Sequence, residues 1–130
     1  MRTLAAARGD DPDHPTELLM MDQRSVNPTW EDAVTMAVNA AKPMLTAADL
    51  ADIELLIVGT ESSADQGKPI STFVHRFLDV QSSCRNFETK HACYGGTAAL
   101  MSAAHWVASH GAPGKKALVI ATDQSRMNLG

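Results

Sequence analysis

Cysteine is scarce in this 130-residue chain, and aromatic residues and long hydrophobic runs are scarce as well. The two cysteines, Cys84 and Cys93, cannot form a disulfide framework and are expected to stay reduced. Lys and Arg number 11 against 15 Asp and Glu, so the chain lacks the basic face of a non-specific nucleic-acid binder. No apolar run approaches the ~20 residues of a membrane span, and no secretory signal begins the chain. These absences predict a cytoplasmic protein with neither a nucleic-acid nor a membrane partner.

The chain does contain an alternation of helical and strand patterns. Three segments read as strands: residues 53–59, 85–91 and 116–121. Three others have helical spacing: residues 33–41, 70–78 and 92–110. Thr29 is expected to cap the first helix, Pro43 to end it, and Thr46 to cap a short helical turn. The order predicts an α/β fold, a sheet covered by helices, with residues 1–130 belonging to one domain.

Cys93 is the first residue whose surroundings suggest chemistry. It lies between a predicted strand and a predicted helix of small residues, and Gly95 and Gly96 follow it closely. A cysteine at a helix N-terminus is favoured as the thiolate, and glycines permit close approach to the backbone. A nucleophile at a strand–turn–helix junction is used in acyl transfer. The alternative is a free cysteine with a structural role, which is more common.

Glu61 is the second candidate, because it follows directly after the apolar strand pattern at 53–59. Ligands of α/β folds bind beyond the carboxyl ends of strands. A carboxylate at that position is therefore well placed to act as a base. From position alone, a solvated loop glutamate is the commoner alternative.

Other polar residues give weaker signals. His91 precedes Cys93 by two residues and would share its face on a strand, but the sequence assigns it no role. No spacing among the five histidines indicates a zinc site, so no metal and no cofactor are expected. Lys68 lies in a Gly-Lys-Pro turn, but the phosphate-binding pattern GxxxxGK[ST] is absent.

Two segments resemble the 3-hydroxy-3-methylglutaryl (HMG) synthase family. Residues 56–72, LIVGTESSADQGKPIST, are similar to its strand and loop, and residues 85–100, RNFETKHACYGGTAAL, to its nucleophile segment. Shorter matches look like the family's early helix: residues 25–26, 31–35 and 39–41. Glu61 and Cys93 are 32 residues apart, which fits the family's interval between base and nucleophile.

Within that family, the two segments are most similar to the HMG-ACP synthases of polyketide β-branching cassettes. That branch acts on substrates tethered to acyl carrier protein (ACP), whereas the mevalonate branch acts on coenzyme A (CoA) thioesters. The resemblance implies one of these two thioester partners. It also implies a thiolase-like fold and, for the complete enzyme, a homodimer.

The resemblance further implies a role for each candidate residue. Cys93 would take an acetyl group from a thioester, and Glu61 would remove a proton from the methyl of acetyl-cysteine. The resulting carbanion would attack the β-ketone of an acetoacetyl-type thioester, and hydrolysis would release the product. Tyr94, Gly95 and Gly96 would shape the turn and the substrate pocket.

The chain is shorter than members of this family. Those members supply, beyond this length, a catalytic histidine that polarises the acceptor ketone, and none of the five histidines here lies in that motif. We therefore expect a partial thiolase-like fold, either an N-terminal fragment or one half of a split enzyme. Three strands with a single helical layer would leave an apolar sheet face uncovered, and the chain alone would self-associate.

Two alternatives remain open. The chain could be a non-catalytic module that binds a carrier protein or a partner subunit through that exposed face. It could also have thiolase or ketoacyl synthase activity on a related fold. Those relatives use histidine-based pairs and lack the glutamate of the GTES segment, so Glu61 argues against them.

Overall fold

A computed structural model of the protein describes residues 2–18, 20, 22–23, 27–109 and 113–124. The early-helix match at 25–26 and the predicted helix end at His110 lie outside the described residues. The described residues divide into two compact units, those up to residue 28 and those from 29 to 124. Membership of all 130 residues in one domain stays a prediction.

The first unit contains two short helices, α1 (Arg2–Ala7) and α2 (His14–Glu17). Gly9 follows α1 in a left-handed conformation with φ +76°, which glycine adopts without steric cost and which ends the helix. An ion pair of 3.0 Å joins Arg2 to Asp13, just before α2. Both side chains are more than half exposed, so the pair adds little stability.

The second unit begins with α3 (Ala33–Ala41), a 3₁₀ turn (Lys42–Met44) and α4 (Ala47–Asp52). The expected cap at Thr29 is wrong, because Asp32 caps α3 instead. Its carboxylate accepts the Thr35 N–H at 2.7 Å, and the Thr35 hydroxyl accepts the Asp32 N–H at 2.8 Å. This reciprocal pair satisfies two donors that a helix start otherwise leaves unpaired.

Two other boundary predictions are confirmed. Pro43 lies in the 3₁₀ turn that follows α3, since a proline cannot donate the hydrogen bond that would extend the helix. Thr46 caps α4, and it shares a second reciprocal pair with Asp49. The two caps fix the path of the chain up to the first strand.

Three parallel strands form the sheet, in the order β2-β1-β3. They are β1 (Ile53–Thr60), β2 (Arg85–Lys90) and β3 (Lys116–Ala121). The connecting helices are α5 (Ile70–Leu78) and α6 (Gly95–Ser109). The register places Gly59 beside Thr89 on one side and Ala121 on the other. The carboxyl ends of all three strands therefore meet at one edge, where α/β proteins bind their ligands.

Helices cover both faces of the sheet, so the expected uncovered sheet face is wrong. Helices α3 and α5 pack on the face that carries Leu56, Val58 and Ile120. Helix α6 covers the opposite face, where Ala99 and Ala103 contact a second cluster. The alternation along β1 supplies both clusters, as expected for a parallel sheet buried on two sides.

Helix α6 leaves part of its apolar surface open. This helix carries no Asp, Glu, Lys or Arg, and its side facing away from the sheet exposes Leu100, Met101 and Val107 by 61, 50 and 45%. Ser102, His105 and Ser109 are exposed on the same helix, so its open surface is mixed rather than wholly apolar. None of the helices in the described ranges is long and apolar enough to cross a membrane.

Two leucine substitutions test this assignment of the core. Leu56 is fully buried on β1, whereas Leu100 is 61% exposed on α6. Leu56→Ala is expected to lower the free energy of unfolding by about 2–5 kcal/mol, because it removes buried methyl groups and leaves a cavity. Leu100→Ala makes the same chemical change at an exposed position and should stay within ~0.5 kcal/mol of wild type. Urea unfolding measures both, and similar losses would contradict the assignment.

Candidate active site

A cavity of about 330 Å³ lies at the carboxyl ends of the three strands. Each strand or the segment after it contributes to the lining: Gly59, Thr60, His91, Cys93, Gly95, Gly96, Thr97, Ala121 and Asp123. Three of the residues that the sequence singled out, Cys93, Gly95 and Gly96, are therefore brought together here. The cavity therefore brings together the ends of β1, β2 and β3, which are far apart in the chain.

Cys93 lies in a tight turn between β2 and α6. Its thiol is exposed, and its backbone is left-handed with φ +52°. The turn is closed by a 2.9 Å hydrogen bond from the Gly95 N–H to the carbonyl of His91. A left-handed non-glycine residue costs on the order of 1–3 kcal/mol and is most often found at functional sites. The strained turn explains why α6 begins at Gly95 rather than at residue 92, where the sequence predicted it.

Glycines allow the first turn of α6 to lie directly on the ends of the strands. A Cβ atom on Gly59 would lie 2.6 Å from the backbone nitrogen of Gly96. A Cβ on Gly95 would lie 3.1 Å from the carbonyl oxygen of Thr89, and one on Gly96 would lie 3.1 Å from the Cβ of Ala121. Side chains at these positions would push the helix start, and Cys93 with it, away from the sheet. Their role as substrate-binding residues stays a prediction.

Glu61 begins the loop that follows β1, directly after the cavity-lining Thr60. Its side chain is exposed and does not line the cavity. Its backbone N–H donates to Asp123 Oδ1 at 2.7 Å. Glu61 and Cys93 therefore lie on neighbouring segments at the same end of the sheet.

His91 and Tyr94 flank Cys93. His91 lines the cavity, and its Nδ1 lies 2.7 Å from the carbonyl oxygen of Ala92. Tyr94 packs its ring edge-to-face on that of His91, with centroids 5.6 Å apart, and its hydroxyl contacts the Met101 sulfur at 3.9 Å. The Tyr94 side chain is half exposed and lies outside the cavity lining, so a place in the substrate pocket stays a prediction.

Sequence reasoning missed Asp123, which lines the cavity and bonds to the start of the Glu61 loop. A usable signal was present, because Asp123 comes just after the predicted strand at 116–121. The rule that selected Glu61, a carboxylate beyond the end of a strand, applies equally to it.

The loop from Glu61 to the start of α5 is held at its far end by Glu88 on β2. Glu88 accepts the hydroxyl of Ser63 and, at 2.8 Å, the backbone N–H of Ile70. Beside this contact lies a larger open cavity of about 740 Å³, which Asp65, Phe87 and Lys90 help to line. The loop is thus attached both to β2, through Glu88, and to the segment that follows β3, through Asp123.

The two thiols differ in their surroundings. Cys84 is buried in the core against α3 and α5, and burial, aided by the charge of Glu54, raises the pKa of its thiol to about 11. Cys93 is exposed. Among the residues that the structure describes, no cluster of His, Cys, Asp and Glu could hold a metal ion.

Comparison with known proteins finds one family profile, hydroxymethylglutaryl-coenzyme A synthase N terminal, which matches residues 20–130. Hydroxymethylglutaryl-CoA synthase from Enterococcus faecalis is 45% identical over 129 residues, 99% of this chain and 33% of its own length. The polyketide biosynthesis 3-hydroxy-3-methylglutaryl-ACP synthase PksG from Bacillus subtilis is 48% identical over 113 residues, 85% of this chain and 27% of its own.

Solved structures agree with these matches. PksG superposes with a TM-score of 0.87 at 45% identity, covering 98% of this chain and 32% of its own. The HMG synthase of the curacin biosynthetic pathway, in complex with holo donor-ACP, gives 0.86 at 46% identity with the same two coverages. The partial thiolase-like α/β fold is confirmed, and the chain spans about a third of the length of these relatives.

The two thiols should react differently with iodoacetamide. The thiolate is the reactive form, and Cys84 is both buried and shifted to a pKa of about 11. At pH 8 we expect alkylation of Cys93 alone, with Cys84 reacting only after urea unfolding. Peptide mapping by mass spectrometry locates the modified residue. Rapid modification of Cys84 in the folded protein would contradict the packing described here.

A substitution at Gly59 tests the close approach of β1 and α6. Gly59→Ala forces a backbone shift at Gly96, and we expect a loss of about 1–3 kcal/mol in the free energy of unfolding, with altered alkylation of Cys93. Gly67→Ala is the matched control, because its new Cβ meets only Asp65 Oδ1 at 3.6 Å. Urea unfolding and alkylation rates report both effects, and equal behaviour of the two variants would refute the proposed constraint.

Proposed function

Since the chain belongs to the hydroxymethylglutaryl-coenzyme A synthase family, we propose that it carries the nucleophile and the general acid/base of an HMG synthase. The reaction joins an acetyl group to the β-ketone of an acetoacetyl-type thioester. One observation carries the assignment: an exposed Cys93 lines a cavity together with Thr60 and Asp123, and Glu61 directly follows Thr60 and is hydrogen-bonded through its N–H to Asp123. The relatives are condensing enzymes, and we propose the same condensation for the whole protein to which this chain belongs.

In the first step, the thiolate of Cys93 attacks the carbonyl carbon of an acetyl thioester. The bond from that carbon to the donor sulfur breaks, the donor leaves as a thiol, and the acetyl group remains on Cys93. A thiolate suits this step because it is both a strong nucleophile and a good leaving group. The backbone N–H of Cys93, just before α6, is a donor for the oxyanion that forms.

In the second step, the carboxylate of Glu61 takes a proton from the methyl of acetyl-Cys93. The methyl carbon then bonds to the ketone carbon of the acceptor, and the ketone oxygen takes up a proton to become a hydroxyl. A methyl beside a thioester is a weak acid, so its base must be held accurately beside it. The family resemblance assigns polarisation of the ketone to a histidine outside this chain.

In the last step, water attacks the thioester carbonyl and the bond to the Cys93 sulfur breaks. The product is a free carboxylate on a 3-hydroxy-3-methylglutaryl thioester, and the thiol is restored. The complete reaction consumes one acetyl thioester, one acceptor thioester and one water molecule. The complete enzyme is expected to act as a homodimer.

We propose an ACP-bound acetyl group as the donor, in a polyketide β-branching pathway. Two relatives support this choice, one named as an HMG-ACP synthase and one solved with donor-ACP. The alternative is a CoA thioester in the mevalonate pathway, which the Enterococcus faecalis relative favours. A module without catalysis has less support, because a pure scaffold needs neither Glu61 nor a strained, exposed Cys93.

Two variants should separate the acetylation step from the condensation step. Both are made in the gene that encodes the protein, so that any further part of the polypeptide is retained. Wild-type protein should gain one acetyl group at Cys93, faster from acetyl-ACP than from acetyl-CoA, and Cys93→Ala should gain none. Glu61→Gln should still be acetylated while condensation falls by about 10²–10⁴. Peptide mass mapping and product formation measure the two steps.

Glu54→Gln is the matched control, because Glu54 lies at the opposite end of β1 and should leave both steps unchanged. A wild-type protein that binds ACP stably but is never acetylated at Cys93 would favour the interaction module. Faster acetylation from acetyl-CoA would favour the mevalonate reaction instead.

A further inference from the structure

Asp123 forms a dense set of hydrogen bonds with the segment that bears Glu61. Its Oδ1 atom accepts the hydroxyl of Thr60 at 2.9 Å and the backbone N–H of Glu61 at 2.7 Å. The same oxygen lies 3.1 Å from the N–H of Ser62 and 3.2 Å from its hydroxyl. One carboxylate oxygen thus contacts three consecutive residues, with Glu61 in the middle. We infer that Asp123 is a positioning residue that fixes the main chain of Glu61 beside Cys93, an inference that rests on the proposed function.

The neighbouring residue strengthens this attachment. The N–H of Gln124 donates to the hydroxyl oxygen of Ser62 at 2.9 Å. The segment after β3 and the segment after β1 are therefore joined at two successive residues. Hydrogen bonds to an ionised carboxylate are roughly twice as strong as neutral ones, so Asp123 is the stronger of the two attachments.

The position of Glu61 depends on its main chain, which Asp123 holds together with the bond from Gln124 to Ser62. The side chain of Glu61 is exposed at the start of a loop, and within the described ranges its carboxylate makes no hydrogen bond. The orientation of its Cα–Cβ bond depends on the backbone at residues 60 to 62. Asp123 restrains that backbone on both sides of Glu61 and so determines where the carboxylate can reach.

Asp123 also lies close to the proposed nucleophile. It lines the same cavity as Cys93, and it follows β3, which pairs with β1 along the edge opposite β2. Its contribution is indirect, through the placement of Glu61.

The geometry distinguishes a position effect from a charge effect. All four contacts use Oδ1, and asparagine keeps an oxygen acceptor at that atom. Asp123→Asn should therefore retain most of the function, whereas Asp123→Ala should lose it. A misplacement of about 1 Å costs on the order of 10²-fold in rate, so we expect a loss of that size in the alanine variant.

The first readout is independent of activity. Amide hydrogen exchange at Glu61 should be slow in wild type and in Asp123→Asn, and clearly faster in Asp123→Ala, whereas the N–H of Ser62 keeps Thr60 Oγ1 as an acceptor at 2.9 Å. Asp65→Ala is the matched control, because Asp65 holds the same loop further along through the N–H groups of Gly67 and Lys68. It should speed exchange at those two amides and leave Glu61 unchanged. Unchanged exchange at Glu61 in Asp123→Ala would overturn the inference.

The second readout follows the base step in the protein expressed from its native locus. Acetylated protein in deuterated water should exchange the methyl hydrogens of acetyl-Cys93, and Asp123→Ala should slow this about 10²-fold while Cys93 is still acetylated. Equal losses in the asparagine and alanine variants would indicate a charge effect and refute positioning. A wild-type protein that is never acetylated would refute the proposed function alone, and the amide exchange result would still decide whether Asp123 holds the loop.

Discussion

The close approach of β1 to the start of α6 is the constraint on which the candidate site depends. Gly59 has no side chain, and a Cβ there would overlap the backbone at Gly95 and Gly96. Because the helix start lies directly on the strand, the preceding turn is short and places Cys93 in a left-handed conformation. The position of Cys93, the proposed nucleophile, thus follows from three glycines, which have no side chain.

Much of the fold was predictable from the sequence, because its elements have strong local signals. The apolar runs of β1 and β3, the helical spacing of α5, and Thr46 as a cap matched the structure closely. The errors came from competition between local signals. Asp32 outcompeted Thr29 as the cap of α3, because Thr35 lies three residues on and completes a reciprocal hydrogen-bond pair.

The candidate site was predictable only in part. Cys93 and Glu61 could be named from motifs, because each lies beside a recognisable strand. The left-handed turn at Cys93 depends on contacts with β1, and the hydrogen bonds of Asp123 join residues more than 60 positions apart. Neither leaves a local pattern. The helical cover on both sheet faces was missed for the same reason, since the sequence does not say on which side a crossover helix packs.

The order of the strands has a consequence for protein synthesis. The central strand β1 is made first, but its neighbours β2 and β3 follow it in the chain. The hydrogen bond from Glu61 to Asp123 spans 62 residues, and contacts that close long loops form slowly because of their entropic cost. The cavity therefore cannot assemble until β3 and Asp123 have left the ribosome. Until then, the exposed thiol of Cys93 has no finished cavity around it.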